Sequence, residues 1–562
     1  MAETTLHSHS RAGGNPESSP VAEKLITDYI DIWTTAIEQK SSAGRGSSNK
    51  FSLYGIKKLR ELILELAVRG KLVPQDTNDE PVSVLLERIA AEKAQLVKEG
   101  KLKKQKPLPE ISEDEKPFEL PQGWEWCPSI SLFTLTKGKK PKVLSESNIG
   151  FPYLDIEALD RNNVLRYTND EMCPKSSSDD IIVVCDGSRS GLVLDGKDGV
   201  LGSTLAIINT PPYIQAFIKL FFQQAFLRLN ASMKGAAIPH LDTKALRESF
   251  IAFPPIEEQH RIVAKVDELM SLCDALEAQT EASIAAHQTL VETLLNALLL
   301  PQATANTASQ SDISLEPSFT NSFDKDWQRV AEHFDTLFTT AASIDTLKQT
   351  ILQLAVMGKL VPWGEGLRTG ELKEYLSFGP RNGFSPKETS SATDVSVLKL
   401  GATTYGYLDL NQTKYVDIKV EDSSHLWLRD GDILIQRGNS ANYVGCNCLI
   451  KMDVTGVIYP DLMMKLRTVK DLNPEFLSIW LSSPKSRQFM WDRMTGTSGT
   501  MPKISKKIVE SIPVIIPSIT VQTLIVAKVE ELMALCEQLK ACLADVQTTQ
   551  LHLADAIVEQ AV

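Results

Sequence analysis

Two segments of this sequence each occur twice, and this repetition constrains the fold more than any other feature. Residues 254–276 begin Pro-Pro-Ile-Glu-Glu-Gln-His-Arg-Ile-Val-Ala-Lys-Val, and residues 517–539 begin Pro-Ser-Ile-Thr-Val-Gln-Thr-Leu-Ile-Val-Ala-Lys-Val, 263 positions further on. A second pair, residues 59–74 and 347–362, shares the ending Leu-Ala-Val-x-Gly-Lys-Leu-Val-Pro at a separation of 288 positions. The long stretches between the copies do not match each other. The chain therefore alternates two similar scaffolds with two dissimilar inserts.

The repeat at 254–276 and 517–539 predicts two long helices. Apolar residues step by 4, 3, 4 and 3 positions, a 3.5-residue period that is typical of a coiled-coil seam. About 38 residues at a rise of about 1.5 Å make a rod on the order of 55 Å long, and its simplest partner is the other rod, running antiparallel. The predicted packing positions are Ile262, Val266, Leu269, Cys273 and Leu276 in the first copy and Ile525, Val529, Leu532, Cys536 and Leu539 in the second, continuing through Thr280, Ser283, His287, Leu290, Leu294 and Ala297 and through Leu543, Val546, Gln550, Leu553 and Ile557.

The chain is too long for one hydrophobic core, and its composition is that of an ordinary globular protein. Its 562 residues are 43% hydrophobic and 23% charged, which predicts three to four compact units. No apolar run reaches the roughly 18–20 residues of a membrane span, and the N-terminus lacks a secretory apolar core. We therefore expect a soluble, cytoplasmic protein.

The cysteines and the net charge bear on the possible ligands. No Cys-x-x-Cys pair occurs, and a strand explains Cys446 and Cys448 better than a metal site, because no His or Cys with ligand spacing lies nearby. The net charge of −12 argues mildly against general affinity for nucleic acid. It is compatible with a local basic surface, since such a surface depends on how charges cluster.

The two inserts differ in sequence but share one pattern of predicted strands and turns. Short β-type runs alternate with Gly, Asp and Asn turns, and residues 428–440 resemble residues 180–190. We therefore expect one α/β fold with two different surfaces. The predicted boundaries are a disordered segment 1–20, a helical region with a connector 21–119, an insert 120–255, a central region 256–362 with a Ser/Thr-rich linker at 301–322, an insert 363–515 and a final helix 516–562.

No group of residues in the sequence forms a catalytic site. Residues 210–213, Thr-Pro-Pro-Tyr, resemble the loop of amino-methyltransferases, but Thr210 lacks the carbonyl that accepts hydrogens from the target amine. The two Gly-Lys pairs end helices and lack the upstream glycine and the following Ser/Thr of a phosphate loop. His240 and His260 flank the carboxylates at 257 and 258, and we ascribe this group to the start of a helix, where the dipole stabilises carboxylates.

Basic and amide side chains on predicted turns favour DNA binding. Phosphates are held by Lys, Arg and hydroxyl groups, whereas base edges are read by Arg, Asn, Gln or Ser/Thr on a positioned element. Each such residue, taken singly, is more often a solvated surface residue. The loop 437–443 is the best candidate for base reading. The predicted DNA-binding residues are Lys139, Lys140, Lys142, Arg161, Ser188, Arg189, Lys234, Arg437, Asn439, Ser440, Asn442, Tyr443, Lys503 and Lys506.

These features together resemble one known family. The order of segments, the repeated Leu-Ala-Val-x-Gly-Lys-Leu-Val-Pro, the segment 85–104, residues 123–126 (Gly-Trp-Glu-Trp) and the Pro-x-Ile-x-x-Gln-x-x-Ile-Val-Ala-Lys-Val helix resemble the specificity subunit of type I restriction–modification enzymes. The resemblance covers nearly the whole chain beyond the first 20 residues. It implies an α+β multidomain protein in which two α/β target recognition domains are separated by two long antiparallel coiled-coil helices, with an internal pseudo-twofold repeat.

The resemblance also implies a function and a set of partners. Each recognition domain would read one half of an asymmetric bipartite sequence in double-stranded DNA, and the helices would fix the gap between the halves. Two modification subunits would carry S-adenosylmethionine and methylate adenine, and two restriction subunits would use ATP and Mg. This chain would hold no cofactor, metal or catalytic residue.

Two other functions are compatible with parts of the sequence. A self-contained DNA methyltransferase would need the cofactor loop and the amine-binding side chain that this sequence lacks. A coiled-coil scaffold that binds only proteins would need the two helices but no DNA-reading surface. Selection of particular DNA sequences separates the specificity subunit from the scaffold.

Overall fold

The computed structural model describes residues 21–39, 51–100, 102, 111–112, 116–231, 240–247, 249–300, 320–496 and 501–562. The predicted disordered segment 1–20 and most of the linker predicted at 301–322 lie outside these residues. The chain forms two compact units: the first unit consists of residues 1–281 with 547–562, and the second of residues 282–546. No helix within the described residues combines the length and the apolar character needed to cross a membrane.

Within the described residues, the first unit is built from short helices, four small sheets and parts of two long helices. Its helices are α1 (Val21–Asp28), α2 (Ile30–Thr35), α3 (Tyr54–Val68), α4 (Val82–Lys98), α5 (Ser129–Leu132), α6 (Ile156–Asp160), α7 (Gln215–Ala231), α8 (Thr243–Arg247) and the first part of α9 (Ile256–Leu299). Its strands are β1 (Glu38–Gln39), β2 (Phe51–Ser52), β3 (Glu125–Pro128), β4 (Thr134–Lys137), β5 (Phe151–Leu154), β6 (Tyr167–Thr168), β7 (Lys175–Ser176), β8 (Ile181–Val184), β9 (Val193–Asp195), β10 (Gly199–Leu201), β11 (Leu205–Asn209) and β12 (Phe250–Phe253).

The second unit contains the end of α9 and a similar set of elements. Its other helices are α10 (Thr320–Glu332), α11 (Phe334–Leu337), α12 (Ala341–Val356), α13 (Pro474–Ser482), α14 (Pro484–Trp491), α15 (Lys506–Glu510) and α16 (Ile519–Ala561), whose last part belongs to the first unit. Its strands are β13 (Arg368–Glu371), β14 (Leu376–Asn382), β15 (Ser396–Leu398), β16 (Thr413–Tyr415), β17 (Trp427–Leu428), β18 (Ile433–Gln436), β19 (Asn447–Leu449), β20 (Val454–Ile458), β21 (Met463–Thr468) and β22 (Pro513–Ile516).

Apart from the two-stranded sheet of β1 and β2, the described sheets of the two units have the same strand order. In the first unit the orders are β4-β11-β8-β9, β6-β5-β10-β7 and β12-β3. In the second unit they are β14-β21-β18-β19, β16-β15-β20-β17 and β22-β13, which is the same arrangement strand for strand. In each unit one pair is parallel, β5 with β10 and β15 with β20. The central strands β8 and β18 are buried along their whole length, which explains why β8 is entirely aliphatic and β18 is aliphatic up to its last residue, Gln436.

The repeated Gly-Lys turn ends α3 and caps a long helix. Gly70 has a φ of 68°, a conformation that suits glycine at a helix C-terminus, and the Lys71 backbone N–H donates to Leu66 O at 2.9 Å. The Lys71 ammonium then donates to Val562 O at 2.8 Å, beyond the last turn of α16. A lysine at this end of a helix satisfies a free carbonyl and favours the dipole.

The second copy of the turn does the same for the other long helix. Gly358 has a φ of 70°, and the Lys359 backbone N–H donates to Leu354 O at 3.1 Å. The Lys359 ammonium donates to Leu298 O at 2.7 Å and to Leu300 O at 3.0 Å, at the end of α9. Each copy of the motif therefore closes one long helix.

The glutamine of the other repeat fixes the start of each long helix. Gln259 Nε2 donates to Pro254 O at 2.9 Å, and Gln522 Nε2 donates to Pro517 O at 2.9 Å. Both glutamines are buried. The bond ties the end of the preceding strand to the first turn of the helix, so this position in the motif requires a side-chain amide.

An ion pair between a short and a long helix also occurs in both units. Arg60 of α3 contacts Asp274 of α9 at 2.6 Å, and Lys348 of α12 contacts Glu537 of α16. The two basic residues are 288 positions apart and the two acidic residues 263, the same separations as in the sequence repeats. The acidic partners are largely exposed, so each pair contributes about 0.2–1 kcal/mol and serves mainly to fix register.

Burial along the first halves of the long helices agrees with the predicted seam. The buried positions are Ile262, Val266, Leu269 and Cys273 in α9 and Ile525, Val529 and Cys536 in α16, and the half-buried ones are Leu276, Leu532 and Leu539.

In the second halves of both helices several predicted seam positions are wrong, although Ile557 of α16 is buried as predicted. In α9, Ser283 and Leu290 are exposed, while Val291 and Leu298 are buried. The stripe of buried residues shifts by one residue after Thr280. From Ile262 to Leu298 it takes ten steps and advances 36 positions, whereas ten steps of 3.5 residues would advance 35. A straight α-helix drifts in this direction relative to a 3.5 period.

The same shift occurs in α16 at the equivalent place. Val546 and Leu553 are 52% and 44% exposed, while Ala554 is buried. The stripe departs from the prediction after Leu543, which lies 263 positions after Thr280. The shifts fall beside the points where the two units divide, at residues 281 and 546.

The simplest prediction was that the two long helices pack only on each other. Within the second unit they also pack on other elements. One hydrophobic cluster combines Leu295 of α9, Val529 of α16 and Ile344 and Ile351 of α12 with residues of the second insert such as Leu477 of α13. The short helix and the insert thus share one core with both long helices, a denser packing than a two-helix seam provides.

We predict that Gly70→Ala destabilises the protein more than Gly100→Ala. Both glycines end helices with φ near 70°, so both substitutions carry a backbone cost of about 1–2 kcal/mol. A methyl group at Gly70 would also lie 2.5 Å from Pro121 Cγ and 2.8 Å from Trp124 Cζ2, whereas nothing lies within 4 Å at Gly100. Overpacking adds about 1–3 kcal/mol. Urea unfolding measures the difference, and equal losses for the two variants would contradict this packing.

Candidate nucleic-acid interface

The loop after β18, the best sequence candidate for base reading, is anchored by a buried amide. Gln436 is buried and donates to Leu400 O at 2.8 Å and to Thr403 Oγ1 at 3.2 Å. Its own Oε1 accepts a bond from Asn439 Nδ2 at 2.6 Å, and Asn439 Oδ1 accepts from the Ser440 backbone N–H at 2.7 Å. Both ends of the Asn439 amide are therefore used inside the protein, and Asn439 shapes the loop.

Arg437 and Lys503 lie side by side in this loop region. The Arg437 carbonyl accepts a bond from the Ile504 backbone N–H at 2.9 Å, and Lys503 forms a bridge with Gly438. Among the residues that the structure describes, neither basic side chain has a hydrogen bond or ion pair. The two cations are therefore available to an external anion or base edge.

The other predicted residues of the second insert lie close to this pair in the sequence. Asn442 and Tyr443 lie in a 3-10 turn, Ala441–Tyr443, and both are exposed. They line an open groove of about 610 Å³. Ser440 is exposed next to this turn, and Lys506 is the exposed first residue of α15.

A buried charge pair lies at the other end of β18. Asp432 is fully buried and accepts bonds from Lys465 Nζ at 3.0 Å and Arg467 Nε at 2.5 Å. Burial lowers the pKa of Lys465, although Asp432 opposes this by favouring the ammonium. Removal of one partner of such a pair leaves a buried charge uncompensated, so the pair fixes the pairing of β18 with β21 and thereby the position of Arg437.

The predicted lysines of the first insert form an exposed run after β4. Lys139, Lys140 and Lys142 are all exposed, and backbone bonds hold the run in place: Lys139 N donates to Leu201 O at 3.3 Å and Lys142 N to Asp170 Oδ2 at 3.1 Å. Fixed backbone and exposed ammonium groups suit phosphate binding.

The predicted arginines of the first insert differ in availability. Arg189 forms a two-point ion pair with Asp160 at 2.7 and 3.2 Å, and this bond lowers the pKa of the Asp160 carboxyl. Arg161 is exposed at the end of α6. Ser188 is exposed and its carbonyl accepts from Asn230 Nδ2 at 3.0 Å. Lys234 lies outside the described residues.

Sequence reasoning missed several exposed groups and misplaced one. Tyr405 and Tyr407 are 74% and 62% exposed and stack with their ring centroids 6.4 Å apart, and Phe384 is 51% exposed. The signal available in the sequence was that these aromatic residues lie outside any apolar pattern.

The prediction that His240 belongs to the start of helix α9 is wrong. His240 bonds to Asp186 at 2.7 Å, because a β-bridge brings these two distant positions together.

Known proteins similar to this chain identify its family. A family model described as "Type I restriction modification DNA specificity domain" matches residues 121–286. The chain is 35% identical to the type I restriction enzyme EcoEI specificity subunit of Escherichia coli, over 96% of this chain and 99% of that protein. The chain belongs to this family. The EcoAI specificity subunit of Escherichia coli is likewise 35% identical, over 96% of this chain and 99% of its own length.

A solved chain from a type I R-M system is similar over 79% of this chain and 99% of its own, with 18% identity and a TM-score of 0.46. Membership of the family confirms the predicted resemblance, and with it sequence-specific DNA recognition by a non-catalytic subunit of a restriction–modification system.

We predict different effects for two neighbouring substitutions in the β18 loop. Arg437→Ala removes a free guanidinium and relaxes selection at one or two base pairs of one half-site, by about 1–3 kcal/mol per bidentate contact. Asn439→Ala removes two loop bonds and weakens the whole half-site together with the thermal midpoint. Lys470→Ala, an exposed lysine beyond the opposite end of β21, is the control and leaves both unchanged. Selection from randomised duplexes with the modification subunit measures these effects; uniform weakening by Arg437→Ala would show that it contacts only phosphate.

Proposed function

We propose that this subunit reads an asymmetric bipartite DNA sequence, with residues 120–255 reading one half and residues 363–515 the other. The observation that carries the proposal is the identical strand order of the two sheet systems combined with different side chains at their loops. One fold used twice presents two similarly built surfaces, and different loop chemistry selects different bases. Two unlike half-sites follow.

The available basic groups support a mode of binding in which phosphate contacts position the subunit. The run after β4 offers three exposed lysines in the first unit, and the second unit offers Arg437, Lys503 and Lys506. Phosphate contacts set register, while the fewer groups that reach base edges set sequence. Because the net charge of the chain is −12, DNA binding depends on local clusters of these cations. We propose that partner subunits complete a clamp around the duplex.

In this proposal α9 and α16 are an antiparallel spacer that sets the gap between the half-sites, with a pseudo-twofold relation between the two repeats. Its support is that α9 begins in the first unit and ends in the second, whereas α16 begins in the second and ends in the first. In this proposal the coiled-coil stretches are Ile262–Leu276 and Ile525–Leu539, where burial follows the 3.5 period. In an antiparallel pair each of them would face the second half of the other helix.

The remaining chemistry belongs to partner subunits in this proposal. Two modification subunits bind S-adenosylmethionine and methylate adenine, and two restriction subunits use ATP and Mg to translocate and cleave DNA in the cytoplasm. The helical regions 21–119, 256–362 and 516–562 provide the docking surfaces, because they are the parts that repeat in sequence while the inserts differ.

The direct test is selection of DNA from a random duplex pool by the chain together with its modification subunit. We expect the recovered molecules to share one sequence made of two different halves separated by a fixed number of unselected base pairs. Recovery of unrelated sequences at the level of a no-protein control would instead favour a scaffold that binds only proteins.

A matched insertion tests the spacer. Seven residues added after Leu276 and seven after Leu539, which are equivalent positions 263 apart, lengthen both helices by about 10.5 Å. At about 3.4 Å per base pair, the unselected gap should grow by about three base pairs while both halves keep their bases. An unchanged gap, or altered bases, would contradict the division into spacer and readers.

A further inference from the structure

A polar cluster of Lys137, Asp186 and His240 lies at the end of β8 in the first unit. Asp186 Oδ1 contacts His240 Nδ1 at 2.7 Å, and Asp186 Oδ2 contacts Lys137 Nζ at 3.1 Å. The Asp186 side chain is 16% exposed, while the His240 ring is 55% exposed. The carboxylate is thus the inner member of the cluster and the imidazole the outer one.

The carboxylate fixes the direction of the ring. Partial burial by itself raises the pKa of Asp186, but the bonds from His240 and Lys137 outweigh it and the pKa is lowered, so Asp186 is ionised and only accepts. The ring nitrogen that faces it, Nδ1, must therefore be the donor. The other nitrogen, Nε2, is free of protein bonds within the described residues and is the group that His240 offers to a ligand.

The backbone around this cluster is the same as around the Arg437 loop. The Leu241 N–H donates to Cys185 O at 2.8 Å, as the Ile504 N–H donates to Arg437 O at 2.9 Å. The bridge between Asp186 and His240 corresponds to that between Gly438 and Lys503.

The ends of the edge strands β4 and β14 agree with this correspondence between the two units. The Gly138 N–H donates to Leu205 O at 2.9 Å, as the Gly383 N–H donates to Met463 O at 3.2 Å. A Cβ at Gly138 would lie 2.1 Å from Gly202 O, as one at Gly383 would lie 2.0 Å from Tyr459 O. Both strands therefore leave the sheet at the same point.

The sequences suggest only part of this correspondence. The likeness of residues 180–190 to residues 428–440 aligns Asp186 with Gly438, but it does not show which residue faces Asp186. The bridges and hydrogen bonds place His240 at the position of Lys503, whereas Arg189 is held by Asp160. The same backbone site thus presents an imidazole on a carboxylate in one unit and a lysine in the other.

We propose that His240, oriented by Asp186, reads a base edge in the half-site of the first insert, an inference that rests on the proposed function. The ligand is one base in the major groove. Its amine can donate to a neutral Nε2, or its N7 or O6 can accept from a protonated one. Asp186 is a positioning residue, and Lys503 is the counterpart of His240 in the second half-site.

The experiment uses the full chain with its modification subunit and a duplex pool randomised over both half-sites. His240→Ala should reduce discrimination at one base pair of one half-site by about 5- to 150-fold, with the other half-site unchanged. Asp186→Asn should affect the same base pair with the thermal midpoint retained. His240→Lys should shift the preference at that base pair towards guanine, to which lysine donates.

His260→Ala is the matched control, an exposed histidine of the same unit at the start of α9, and should leave selection unchanged. The inference is overturned if His240→Ala leaves every base preference intact, or if it weakens all sequences equally, which would show a phosphate contact. A wild-type complex that selects no sequence would overturn the proposed function itself, and the inference with it.

Discussion

The bond between the repeated Gly-Lys turn and the end of a long helix is the constraint on which the scaffold depends. Lys71 closes α16 and Lys359 closes α9, and the turn that carries each lysine exists because a glycine takes a positive φ there. At the other end of each helix a glutamine holds the first turn to the preceding strand. Both ends of both long helices are thus fixed by residues of the repeats, which explains why these short motifs recur while the inserts diverge.

The inserts show how one backbone can carry two surfaces. Strand order, bridge positions and the exit of the first strand are common to both units, so backbone bonds leave side chains free to vary. The variation reaches the interior: Lys465 is buried against Asp432 in β21, whereas the corresponding position of β11 is the buried Ile207. A sheet that tolerates such different cores can also tolerate different loop chemistry, which is what a protein that reads two sequences needs.

Much of the fold could be predicted from the sequence because the repeats report it directly. The long helices, their first packing positions and the likeness of the two inserts all follow from spacing and pattern. The prediction was wrong at several positions beyond Thr280 and Leu543, where the buried stripe shifts by one residue, because the helices pack on several neighbours and keep the 3.6-residue twist. The pattern of apolar residues in one sequence does not show which elements pack on the long helices.

The candidate site was less predictable, because the residues concerned are joined by tertiary bonds. Asn439 and Arg189 have the side chains expected of base readers, yet each is used by a neighbour inside the protein. His240 lies 54 positions from Asp186, and only the bridge between strands makes them a pair. A residue type on a turn predicts what a side chain could bind, whereas its availability depends on contacts that the sequence does not contain.

If two interchangeable readers act on a repeated scaffold, a chain in which residues 363–515 are replaced by a second copy of residues 120–255 should select a new DNA target. Selection from randomised duplexes measures this most directly. We expect a target in which both halves are the first half-site, arranged as an inverted repeat with the gap of the wild-type target. Retention of the original asymmetric target, or loss of all selection by a folded complex, would contradict it.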